Sequence, residues 1–96
     1  EKFAILATIK AKPGKEKEVI EFLKSALPLA NSEADTIRWY AAQVGDSTFY
    51  IFDTFETTDG RIAHLKGPIA EALMSNASTL LAEDPIISQA DILAVK

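Results

Sequence analysis

The chain has 96 residues, a formal charge of −4 and no cysteine. That length accommodates one domain, expected to span residues 1–96, and leaves no room for a separate cofactor-binding unit. The missing cysteines exclude disulfides, thiolate metal sites and cysteine nucleophiles.

A chain this short buries only about 60–65% of its unfolded surface, so its own core is marginal. Yet 48% of its residues are hydrophobic, which suggests burial against something else, most simply a second copy. The only basic cluster is Lys10, Lys12, Lys15 and Lys17, and Glu16 and Glu18 interrupt it. Nucleic-acid binding needs a basic face to neutralise phosphates, and none is supplied. No apolar run approaches the ~18 residues that span a bilayer. The chain enters directly into a strand-like pattern without signal-peptide organisation, so the expected location is the cytoplasm.

Phe3 to Ile9 is an apolar run of strand length. Lys12-Pro13-Gly14-Lys15 breaks it as a turn. Val19, Ile20, Phe22, Leu23, Ala26, Leu27 and Ala30 then recur at helical spacing, with Glu16 and Glu18 placed to favour the helix dipole. Pro28 is expected to bend or end this helix, and Asn31-Ser32-Glu33 to continue as loop. Thr36 to Val44 and Thr48 to Phe55 read as two strands, rich in aromatic and β-branched residues. Gly45-Asp46-Ser47 joins them as a tight hairpin.

Thr57-Thr58-Asp59 supplies capping side chains for a short helix from Arg61 to Lys66. Gly67-Pro68 interrupts it, and a second helix carries Ile69, Leu73, Met74, Ala77, Leu80 and Leu81. Asp84-Pro85 stops that helix before a last strand from Ile86 to Val95. The order β-α-β-β-α-β gives an α+β, ferredoxin-like protomer with one antiparallel sheet and helices on one face.

A three-residue hairpin loop pairs Val44 with Thr48, Trp39 with Asp53 and Tyr40 with Phe52. One sheet face then carries Ile37, Trp39, Ala41, Phe49, Ile51 and Phe55, and the other carries Tyr40, Ala42, Tyr50 and Phe52. A sheet with a wet side alternates apolar with polar residues, and this one does not. The expected cover for the second face is the sheet of another subunit, in a back-to-back homodimer.

Few residues can carry chemistry. His64 is the only histidine and stands among Ile62, Leu65 and Ile69, at spacings that turn toward a core. It is either a packed, hydrogen-bonded core residue or a general base in a dry pocket. Asp53 interrupts an aromatic strand and needs a partner if buried. It could orient His64, pair with Arg38, or point at the open end of the sheet. Trp39, Tyr40 and Tyr50 could line a flat cavity for an aromatic ligand, with Arg38 holding an anionic one, though strand aromatics are commonly plain core. One histidine without cysteine does not make a zinc or iron site. No glycine-rich phosphate loop is present, and Ser75, Ser78 and Ser88 lack a nucleophile-elbow context.

With these residues in place, the chain resembles the antibiotic biosynthesis monooxygenase family of dimeric α+β barrel proteins, over essentially its whole length. The matching features are Pro13-Gly14-Lys15 before the first helix, Ile37 to Tyr40, Phe52-Asp53-Thr54-Phe55, and Ala63-His64-Leu65-Lys66-Gly67-Pro68. Ala34-Asp35 departs from the Pro-Gly turn that relatives often have before the second strand. The resemblance implies a dimer packed sheet on sheet and a cavity between sheet and helices. It also implies oxidation of a small phenol or hydroquinone to a quinone without flavin, metal or other cofactor. His64 would be the base, with Arg38, Trp39, Tyr40 and Tyr50 as substrate contacts. The alternative within the same fold is a non-catalytic ligand-binding or accessory protein. Haem-degrading enzymes of the superfamily use an Asn, a Trp and a His where this chain has Ala7, His64 and Met74, so haem is not the expected ligand.

Overall fold

The computed structural model describes residues 1–96. The strands are β1 (Phe3–Lys10), β2 (Thr36–Val44), β3 (Thr48–Phe55) and β4 (Ile86–Asp91), and the helices are α1 (Glu16–Ser25), α2 (Leu27–Ser32), α3 (Thr58–Leu65) and α4 (Pro68–Leu80). The four strands form one antiparallel sheet in the order β2-β3-β1-β4. This is the ferredoxin-like arrangement expected from the sequence.

The hairpin register also agrees with that expectation. Val44 pairs with Thr48, Tyr40 with Phe52 and Trp39 with Asp53. Gly45 sits at φ 67° in the connecting turn, a left-handed conformation that glycine adopts without steric cost. A register shift between Thr36 and Arg38 leaves Ile37 exposed, although simple alternation assigns it to the helix-covered face.

The elements differ from expectation around Pro28, at the start of α3, which begins at Thr58 rather than Arg61, and at the end of β4. Pro28 neither bends nor ends the first helix; it occupies the first turn of α2, where its missing N–H costs nothing. The break falls earlier, at Ala26, whose N–H is shared between the carbonyls of Phe22 and Leu23. Asn31 and Ser32 therefore belong to α2 rather than to a loop, and Glu33 is its C-cap. At the other end of the chain, β4 stops at Asp91, short of the expected Val95.

The core lies between the sheet and the helices. Ile9, Phe49 and Ile51 from the sheet meet Val19 and Leu23 of α1 and Leu73, Ala77 and Leu80 of α4. Those α4 positions recur every three to four residues, which keeps one stripe of the helix against the sheet. Ala26, Ala30 and Ile69 form a smaller cluster, and Trp39 packs against both.

The opposite face of the sheet carries no helix. Its central row runs Tyr40, Phe52, Leu6 and Ser88 across the four strands. Tyr40, Val44, Leu6 and Ile86 are exposed there. No helix is long and apolar enough to cross a membrane.

Candidate functional site

Three segments converge on His64. Thr57 begins α3 by accepting a hydrogen bond from the Gly60 N–H at 3.0 Å, and His64 lies in the last turn of that helix. A cation is favoured at this end by the carbonyls left without intrahelical partners. Strand alternation turns Asp53 of β3 toward the helices, where it is 0% exposed. Extended backbone at Glu33 ends α2 (φ −82°, ψ 110°) and leads into β2.

The imidazole is held between two carboxylates. Nδ1 lies 2.6 Å from Glu33 Oε1 and Nε2 lies 2.7 Å from Asp53 Oδ2. The first contact is a hydrogen bond; the second is an ion-pair contact, because neither Asp53 oxygen has an aligned hydrogen-bond donor. Thr36 Oγ1 donates to Glu33 Oε1 at 2.7 Å, and the Phe55 ring is centred 5.4 Å from the imidazole. Burial pushes the His64 pKa down, but Asp53 and then Glu33 outweigh it, so the net shift is upward. An imidazolium with a proton on each nitrogen matches this geometry. The carboxylates meet opposite sides of the ring, so the three groups do not converge on a point where a metal ion could sit.

Gly67 completes the enclosure. A Cβ there would stand 3.2 Å from Glu33 Oε2 and 3.3 Å from the carbonyls of Ala63 and His64. Glycine thus lets the carboxylate approach the start of α4, where helix N–H groups favour negative charge. A polar pocket of about 170 Å³ opens beside these groups, lined by Glu33, Asp35, Thr36 and His64 among others.

A larger cavity, about 500 Å³, lies between α1 and β2. Leu23, Leu27, Trp39, Ala41 and Phe49 supply most of its apolar wall. Trp39 connects the two regions, since it lines this cavity and is the cross-strand partner of Asp53. Its Nε1 is buried without a hydrogen-bond partner.

Of the residues singled out from sequence, His64, Asp53 and Trp39 therefore share the helix-covered side. Asp53 pairs with His64 and not with Arg38. Arg38, Tyr40 and Tyr50 alternate onto the other face. Arg38 Nε reaches Glu1 Oε2 at 3.2 Å, and Glu1 also accepts from Thr54 Oγ1 at 2.7 Å. Arg38 and Tyr40 border a hollow of about 380 Å³ beneath residues Ile92 and Ala94–Lys96. Tyr40 reaches the rim of the α1–β2 cavity as well. Glu33 was missed, because a glutamate in a presumed loop carries no signal that it will meet a histidine 31 residues away.

No protein-family model matches the sequence, and no curated protein matches it. Among solved structures, the NE2512 protein of unknown function from Nitrosomonas europaea is 50% identical, with a TM-score of 0.96 over 99% of this chain and 92% of that one. The chain belongs to the same family as NE2512. More distant structures extend the likeness of fold. PA3566 from Pseudomonas aeruginosa is 20% identical, with a TM-score of 0.83 over 97% of this chain and 95% of its own. An antibiotic biosynthesis monooxygenase is 11% identical, with a TM-score of 0.82 over 96% of this chain and 99% of that chain. The NE2512-like chain thus has the antibiotic biosynthesis monooxygenase fold expected from its sequence.

Proposed function

We propose that this protein binds a small phenol or hydroquinone in the α1–β2 cavity and oxidises it to a quinone with molecular oxygen and no cofactor. The observation that carries the reading is Trp39, which is both cavity wall and cross-strand neighbour of the buried Asp53–His64 pair. A volume of about 500 Å³ suits a ligand of two or three fused rings. The fold shared with a monooxygenase supports the reaction class.

For a phenol the balance is simple. The phenolate gives an electron to O2, the radicals combine at the ring carbon para to the oxygen, and the peroxide collapses. One oxygen atom stays as the new carbonyl. The other leaves as water, taking the hydroxyl proton and the proton of the substituted carbon. His64 does not line the cavity, so in this reading the hydroxyl proton reaches the cluster by way of water, and only after His64 has released one of its two N–H protons. Activity is therefore expected to rise with pH through the raised pKa of His64. A bound substrate ring would displace water from the apolar wall.

Oxygen uptake with dihydroxynaphthalenes and anthrones tests the reading. Saturable uptake that falls ~100-fold or more in His64→Ala supports it; uptake no faster than without protein removes it. The second reading, binding without turnover, is favoured by one specific observation: both His64 nitrogens are engaged by carboxylates. In that case the same compounds perturb the single tryptophan, Trp39, and no oxygen is consumed.

We further propose that the protein is a homodimer packed through the helix-free face. Its support is the row of Tyr40, Phe52 and Leu6 on the face that no helix covers; Tyr40 and Leu6 are exposed and Phe52 half-buried, and of the three only Tyr40 reaches the cavity.

A further inference from the structure

Resting on the phenol-binding reading of the α1–β2 cavity, we propose that Lys24 is the residue that holds the substrate as its phenolate. Ten residues line this cavity and eight are hydrophobic; the two others are Lys24 and Gln43. Gln43 is already committed, since its Nε2 donates to the Asp46 carbonyl at 3.1 Å within the hairpin. Lys24 takes part in none of the ion pairs of the chain. It is thus the one charge on the wall, and an uncommitted one; the Tyr40 phenol, which reaches the rim from the opposite sheet face, carries none at neutral pH.

The other candidates for this role are directed elsewhere. Arg38 lies on the opposite sheet face and pairs with Glu1. His64 is not on the cavity wall, and its N–H groups face Glu33 and Asp53. Trp39 Nε1 has no accessible surface, so it does not face an open cavity. Around Lys24 the charged surroundings are sparse. Glu21 precedes it by one turn on α1 without pairing with it, β2 contributes Gln43, and β3 contributes Phe49.

The chemistry requires such a group. An apolar cavity favours neutral phenol over phenolate, because desolvation disfavours the charged form. Only the phenolate is electron-rich enough to reduce oxygen. The net charge of −4 adds a field that opposes anion entry. A lysine at the cavity lip offsets both effects locally. Its place in the last turn of α1, at the negative end of the helix dipole, suits a permanent cation. The aliphatic stem can pack on an aromatic ring while the ammonium meets the oxygen.

4-Nitrophenol is a suitable probe, since its phenol and phenolate forms absorb at different wavelengths and it does not turn over. Binding is followed separately by the NMR signal of the single indole N–H, that of Trp39. In the native chain, the bound probe should ionise about half a pH unit lower than in Lys24→Gln, the size of an exposed ion pair. Lys24→Arg should keep the native midpoint, Lys24→Glu should raise it beyond that of Lys24→Gln, and ~0.5 M salt should shrink the differences. Saturable binding with one midpoint in the native chain and Lys24→Gln overturns the assignment of Lys24 and leaves the cavity reading intact. No saturable change at Trp39 overturns both. Lys24 is exposed, so these variants keep the fold, which an unchanged melting temperature checks.

Discussion

Glu33 Oε1 and His64 Nδ1 meet at 2.6 Å across a separation of 31 residues, tying the end of α2 to the last turn of α3. Asp53 closes the other side of the ring at 2.7 Å. The helical layer is thereby joined to the sheet through one imidazole, and the two carboxylates contribute unequally. Asp53 is wholly buried, whereas the Glu33 side chain is 16% exposed. Water can compensate a lost partner at Glu33 more easily than at Asp53.

The expected order of stabilities follows. Asp53→Ala should destabilise the fold by about 3–5 kcal/mol, the cost of stranding a buried charge. Glu33→Ala should cost less, about 1–3 kcal/mol. Urea unfolding midpoints at pH 6 measure both. Equal losses would mean that the exposed side of the cluster is as isolated from water as the buried side.

The same cluster gives stability a pH dependence of definite sign. The His64 pKa is raised in the folded chain, with Asp53 and Glu33 overcoming the effect of burial. Its contribution is therefore fully present below the unfolded value near 6.5 and is lost as pH rises through the folded value. Stability should decline on the alkaline side of ~6.5, and His64→Gln should flatten that decline. As the only histidine, His64 gives an unambiguous ring NMR titration. A midpoint at or below 6.5 would contradict the geometry, and Glu33→Gln should move the midpoint down.

How much of this was legible in the sequence depends on the range of the interaction. Both hairpin strands and their register follow from local information: β-branched and aromatic runs flank a three-residue turn, so Trp39 must oppose Asp53. The relation of Asp53 to His64 was open among three possibilities, because a strand aspartate can be placed on a face without fixing its partner. Glu33 was illegible for a further reason. Pro28 reads as a helix breaker, but here it starts α2, and the helix it starts carries Glu33 to His64. Arg38, Tyr40 and Tyr50 read as aromatic or basic neighbours of Trp39, yet alternation puts them on the opposite sheet face, from which only Tyr40 reaches the rim of the Trp39 cavity. Lys24 carries no sequence signal, since a lysine on an amphipathic helix normally belongs to its solvated face.

Filling the α1–β2 cavity should separate binding from folding. Ala41 lines it, faces the helices and pairs with Ile51, while remaining exposed. Ala41→Phe adds a ring where a substrate ring is proposed to lie, without overpacking a closed core. Naphthol binding, read at the Trp39 indole N–H, should weaken ~10-fold or more, with the melting temperature changed by less than ~3 °C. Undiminished binding would place the ligand elsewhere, with the 380 Å³ hollow beside Arg38 as the next site to probe.

The helix-free sheet face makes the last prediction. Tyr40, Phe52 and Leu6 form one row across β2, β3 and β1, and Leu6, on β1, is partly exposed. Apolar rows of this kind bury favourably against a copy of themselves about a two-fold axis, at roughly 25 cal/mol per Å² removed from water. Light scattering at micromolar concentration should give twice the 10.4 kDa of one chain. Leu6→Glu brings like charges together across such an axis and strands them without water, so the mass should fall to that of one chain. Its helix-side core, built on Ile5, Ala7 and Ile9, faces the other way, so the monomer should keep its far-ultraviolet circular dichroism. A native chain of single mass would remove the dimer, and with it the reason for an apolar face that no helix covers.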